Sequence, residues 1–188
     1  MKKLLAVGVA LALTATGSLV EKGWATSLQS DTEDHSITIL VEEVAVLGIV
    51  GSDPSFVVGA PTKGGDAFVV TSTNADTQYL QYSSIVNPTK ERKITAKITL
   101  GTLPEGVTLQ ISPETATGGK MGEVGTAVGT ISLNSISQNI VTGIKSGYTG
   151  IETTDGVKLN YGLALAPGSL STTGATNVTV TYTLTEEI

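Results

Sequence analysis

Residues that do covalent chemistry are scarce in this 188-residue chain, which holds one histidine and no cysteine. A Ser–His–Asp relay would have to run through His35. That residue follows the polar stretch Asp31-Thr-Glu-Asp34, ahead of the first expected strand and off any rigid scaffold. Thiol nucleophiles and Cys/His zinc sites are excluded by composition. Carboxylates remain: Glu42, Glu43, Asp53, Asp66, Asp76, Glu105, Glu114, Glu123, Glu152 and Asp155. Two of them facing each other roughly 5–10 Å apart would suffice for glycoside hydrolysis. Nearly all fall among turn-forming residues, where an acid is expected as a surface group. Glu42 and Glu43, as neighbours in an extended strand, point to opposite faces. The expectation is therefore a protein that is not an enzyme and that carries no catalytic residue and no cofactor.

Metal and phosphate chemistry fare no better. Calcium would find oxygen ligands at Asp31, Glu33 and Asp34, or at the Asn74/Asp76 turn, but neither set has the spacing of an EF-hand loop. Both are expected to be solvated, with no metal. The glycine-rich stretch from Gly118 to Gly129 lacks the Lys-Ser/Thr ending and the strand–loop–helix setting of a phosphate cradle, and Lys120 alone does not supply them. A net charge of −6 argues against nucleic acid as a partner, because phosphate backbones need clustered Lys and Arg. The one basic cluster, Lys90, Arg92 and Lys93, is interrupted by Glu91 and reads as a solvated turn.

Carbohydrate binding needs exposed aromatic platforms, and aromatic residues make up only 4% of the chain. Tyr148, in Ser146-Gly-Tyr-Thr-Gly150, is the candidate ligand-binding residue. Tyr79 and Tyr82 are three apart, so one at most faces outward. Tyr161 and Tyr182 have core-face spacing, where their hydroxyls would need partners.

The elements that must position these groups are strands. Alternation of period two recurs between Gly, Pro, Asn and Asp punctuation. Ile37, Ile39 and Val41 share one expected strand face, leading through Glu42–Glu43 into the apolar run Val44 to Val50. A loop is expected from Gly51 to Asp66, then a short buried strand from Ala67 to Thr73, then a strand from Gln78 to Ile85. Ile94, Ala96, Ile98 and Leu100 alternate with Lys93, Thr95, Lys97 and Thr99; after the Leu103-Pro-Glu-Gly106 turn, Val107, Leu109 and Ile111 suggest an antiparallel neighbour. Gly118 to Gly129 reads as a loop or irregular edge, with Ile131 and Leu133 opening another strand. Ile136, Ile140 and Ile144 have helical spacing, enough for a single turn. A loop is expected from Lys145 to Asp155. Val157 to Leu163 and Val178 to Leu184 are the last strands, the latter backed by Thr179, Thr181, Thr183 and Thr185. Eight to nine strands without long helices predict an all-β fold: an antiparallel two-sheet β-sandwich, immunoglobulin-like or jelly-roll-like, with a closed barrel as the alternative.

The N-terminus leads to the expectation that this domain lies outside the cell. Met1, Lys2 and Lys3 precede an apolar run from Leu4 to Leu13, the form of a secretory signal and too short to span a membrane. Cleavage is expected after Ala25, with Gly17 as the alternative. That leaves residues 1–25 as signal peptide, 26–35 as polar leader and 36–188 as one β-sandwich domain. With no cysteine, neither a lipid anchor nor a disulfide is available, so the core alone must hold the fold. A secreted or bacterial cell-surface location without a transmembrane anchor follows as an expectation.

The closing segment Asn177-Val-Thr-Val-Thr-Tyr-Thr-Leu-Thr185, with Tyr182 near the C-terminus, resembles the last strand of secreted fimbrial-type subunits and of spore-coat-U-like proteins. Those families also combine a signal peptide with Gly/Thr-rich alternating strands. The resemblance covers only the final part of the chain. It implies a structural or adhesive role, with copies of itself or other surface proteins as partners. Two departures stand out: the disulfide of many such subunits is absent, and the leader from Thr26 to His35 is polar. Any donated strand would therefore come from Ile37 to Val50, with Val44, Val46, Ile49 and Val50 as assembly residues. The alternative is that Val44 to Val50 is an ordinary central strand. A carbohydrate-binding module using Tyr148 is the second reading of function, and a glycoside hydrolase the third.

Overall fold

The computed structural model describes residues 36–187; the signal segment, the leader and His35 lie outside the described residues. The chain divides after Ile39. In the first unit, residues 36–39 have no regular secondary structure, and Ile37 and Ile39 are exposed.

The second unit, Leu40–Ile188, is built from strands. These are β1 (Val44–Val50), β2 (Ser55–Gly59), β3 (Val69–Thr73), β4 (Gln78–Ile85), β5 (Glu91–Leu100), β6 (Val107–Pro113), β7 (Met121–Ala127), β8 (Ile131–Ser132), β9 (Gln138–Tyr148), β10 (Val157–Leu165) and β11 (Thr179–Glu187). All ladders are antiparallel. One layer runs β1-β4-β10-β6-β8 and the other β11-β5-β9-β7. They are joined at one corner, where Ser83 and Ser84 of β4 pair with Tyr148 and Gly147 of β9. On the opposite side β1 and β11 approach each other but share no ladder, leaving a seam. The fold is a β-sandwich with one closed corner, and β2–β3 form a separate two-stranded sheet.

Alternation builds the core. Gln78, Leu80, Tyr82 and Ser84 bury one face of β4, while Ile94 and Ala96 do the same on β5 and Val157 and Leu159 on β10. Each large apolar side chain so buried contributes about 1.5–3 kcal/mol. Tyr82 spans the layers, its hydroxyl donating to the carbonyl of Val124 on β7. Burial raises its phenol pKa far above the ordinary value. Tyr161 and Tyr182 supply each other's hydrogen-bond partner.

Several expectations fail for identifiable reasons. Residues 36–43 form no strand, and β1 is an edge strand rather than a central one. β2 lies inside the stretch expected to be a loop, and β3 is exposed throughout rather than buried. β5 and β6 are not paired, because the segment between them carries the chain from one layer to the other. Leu100, at the end of β5, is exposed. The Gly118–Gly129 stretch, expected as a loop or irregular edge, is an edge strand: it contains β7, which pairs only with β9 and whose register shifts between Gly122 and Val124.

The expected helical turn is the body of β9. Against β5, Arg92 pairs with Ile144 and Ile94 with Val141, so two steps on β5 span three on β9. That extra residue is a bulge. Gly143 takes it up at φ 69°, a left-handed conformation that glycine adopts without a Cβ clash. A second shift follows, where one step from Ile94 to Thr95 spans two from Val141 to Asn139, and together the two shifts bring Ile140, Val141 and Ile144 into the core.

Candidate functional site

The closed corner carries a shallow, open concavity. β9 ends there at Tyr148, so this tyrosine stands on a strand end rather than in a loop. Its neighbours across the ladders are Ser83 on β4 and Met121 on β7, and 48% of its surface stays exposed. Beyond it the chain turns through Thr149 to Gly156 before β10 begins. Thr149 is fully buried and anchors the start of that turn, its Oγ1 accepting from the backbone N–H of Tyr82 at 3.0 Å.

Asp155 organises the turn from below. It is buried, with 6% exposure, although sequence reasoning placed it among the surface acids. Its Oδ1 accepts from the N–H of Gly119 at 3.1 Å, and its Oδ2 from the N–H of Glu152 at 3.1 Å. The backbone must pass very close to make these bonds, and a Cβ at Gly118 or Gly150 would collide with the carboxylate. No Lys or Arg pairs with Asp155 among the described residues. The result is a pocket of about 440 Å³ walled by Tyr148 and the exposed Ile151, with Asp155, Glu152 and Ser83 supplying oxygens.

The proposed assembly residues Val44, Val46, Ile49 and Val50 all lie on β1, which pairs with β4 over its whole length. Val46 and Ile49 are more than half exposed. Leu47 and Ile49 face the seam, where a cleft of about 300 Å³ is completed by Leu80, Val180 and Tyr182. The phenol of Tyr182 is pushed far above its ordinary pKa by burial and then by Tyr161 beside it, and burial also raises that of Tyr161.

Arg92 corrects the solvated-turn reading. It lies in β5 on the face of Ile94 and Ala96 and is buried, with 6% exposure. Its Nη1 donates to the carbonyl of Val44, to Ser84 Oγ at 3.2 Å and to the carbonyl of Ile85 at 3.1 Å. Its Nη2 lies 3.6 Å from Glu43 Oε2, so Arg92 pins the start of β1. The signal was present in the period-two register with Ile94, which sets residue 92 facing inward.

The remaining acids do not converge on the pocket. Asp76 lies 3.8 Å from Lys158, Glu123 lies 2.9 Å from Lys145, and Glu114 accepts from Asn160. Among the described residues no group of three His, Cys, Asp or Glu side chains is placed to hold a metal ion, and no helix is long and apolar enough to cross a membrane. Comparison with protein-family models, curated proteins and solved structures finds no match.

Proposed function

We propose that the protein is a secreted or cell-surface structural or adhesive subunit of fimbrial or extracellular-matrix kind, joining further copies of itself through β1. The observation that carries this reading is the placement of β1. It is the first strand among the described residues and stands at a sheet edge, and a single ladder to β4 holds it. It is apolar throughout, and the residues before it, including Leu40 and Val41, are exposed. The link to β2 is the short segment Gly51-Ser52-Asp53-Pro54, whose Ser52 and Asp53 carbonyls accept from the Gln78 and Asn74 side chains. A β1 donated by a neighbour would make the same seven register pairs and the same bonds to Arg92, so exchange sacrifices almost no contact. Repeated head to tail, such exchange builds an open filament.

Cysteines placed at the opposed pair Val46 and Ser83 test this reading, because the chain has none of its own. Oxidised V46C/S83C protein should run as a ladder of linked chains on a non-reducing gel, and light scattering should show mass rising with concentration. An internal link only, in a monomer of constant mass, would overturn the reading.

A further inference from the structure

The pocket at the closed corner has a composition that selects its ligand, independently of how copies of the chain assemble. Tyr148 and Ile151 give it an aromatic and an aliphatic wall, both open to solvent. Each carboxylate oxygen of Asp155 uses one acceptor position on a backbone N–H and keeps lone-pair capacity for a second donor. Glu152 adds a second carboxylate, and Ser83 a hydroxyl that both donates and accepts. No Lys, Arg or His lines the pocket, so phosphates, sulfates and acidic sugars meet only like charge. A bare cation is poorly served as well, since among the described residues no third His, Cys, Asp or Glu side chain joins the two acids.

We propose that this pocket binds the ring of a neutral saccharide. The apolar C–H face of the ring packs on Tyr148 and Ile151, while its hydroxyls donate to Asp155 and exchange hydrogen bonds with Ser83. Apolar walls with a few fixed polar groups are the usual make-up of a small-molecule site. The buried Asp155, fixed on two backbone N–H groups, is pre-organised and loses little freedom on binding.

Amide NMR of the ¹⁵N-labelled protein, titrated with methyl glycosides of glucose, galactose, mannose and N-acetylglucosamine and separately with calcium chloride, tests the assignment. At least one glycoside should shift the amides of Gly119, Gly150, Ile151 and Glu152 saturably. Tyr148→Ala should weaken that binding by about tenfold or more, while Tyr148→Phe, which keeps the stacking face, should retain it. Asp155→Asn should also weaken binding, but it loosens two turns. Tyr148→Ala, at a half-exposed strand end, is therefore the decisive variant. No saturable shift with any glycoside overturns the proposal. So does a response at these amides to calcium alone, or glycoside binding unchanged in Tyr148→Ala.

Discussion

Arg92 buries a guanidinium between the layers with mainly neutral acceptors around it: two backbone carbonyls and Ser84 Oγ. Glu43, its ionic partner at 3.6 Å, is itself half exposed, so solvent screens most of that attraction. The hydrogen bonds are thus the larger contribution. Truncating the side chain leaves buried acceptors unpaired, at about 1–3 kcal/mol each. Arg92→Ala should therefore destabilise the fold by about 2–4 kcal/mol in urea denaturation, and hydrogen exchange of the β1 amides should accelerate more than that of β11. Glu43→Gln should lower stability by less than about 1 kcal/mol. Equal losses from the two substitutions would show that the ion pair, not the inward hydrogen bonding, holds the start of β1.

Among the elements, β9 turns on Gly143, whose φ of 69° accommodates the bulge facing Arg92 and Ile94. A β-branched residue is strained there whatever space is open to it. Gly143→Val should cost about 1–3 kcal/mol, lowering the urea midpoint, and Gly143→Asn should cost less because asparagine tolerates the left-handed region. Gly129→Val, where an added Cβ meets nothing, is the control and should be near neutral. A Gly143→Val midpoint equal to the control would remove the bulge as a constraint. The register shifts of β9 explain why it read as a helical turn. Where alternation is uninterrupted, as in β10 and β11, the expected strands and their inward faces match the structure, and β4 spans the expected Gln78 to Ile85. Where a bulge puts Val141 beside Ile140 in the core, the periodicity shifts towards that of a helix. Pairing partners were hidden for a different reason. The β5–β6 connection looks like a hairpin turn locally, and only the long-range ladders to β9 and β10 place the strands in different layers. Of the candidate pocket, Tyr148 was readable as an exposed aromatic. The burial of Asp155 was not, because it depends on β7 and the β9–β10 turn coming together.

Across the whole sandwich, Tyr82 bridges β4 to β7, while Tyr161 and Tyr182 bond each other, with Tyr182 lining the open seam. All three phenols have pKa values raised by burial in the folded protein. The neutral form is thus favoured on folding, and its contribution is fully present below about pH 10, where unfolded tyrosine ionises. Above that pH the unfolded chain loses phenolic protons that the native state retains, so stability falls as pH rises through the folded pKa values. Each phenol adds up to about 1.4 kcal/mol per pH unit to that slope. Urea denaturation between pH 8 and 11 should show little phenolic dependence up to about pH 9.5 and a steepening loss beyond it. Tyr182→Phe keeps the ring in the seam and deletes one of the three titrating groups, so its slope above pH 10 should be shallower by up to about 1.4 kcal/mol per pH unit. Its stability at pH 7 should also drop by about 1 kcal/mol, because the Tyr161 hydroxyl loses its partner. An unchanged alkaline slope would mean that Tyr182 already ionises in the native state and that solvent enters the seam between β1 and β11. A β1 that leaves its place at neutral pH would admit the same solvent. The slope of Tyr182→Phe against wild type, measured on dilute and on concentrated protein, therefore also reports whether the seam is as closed in the single chain as in any assembly.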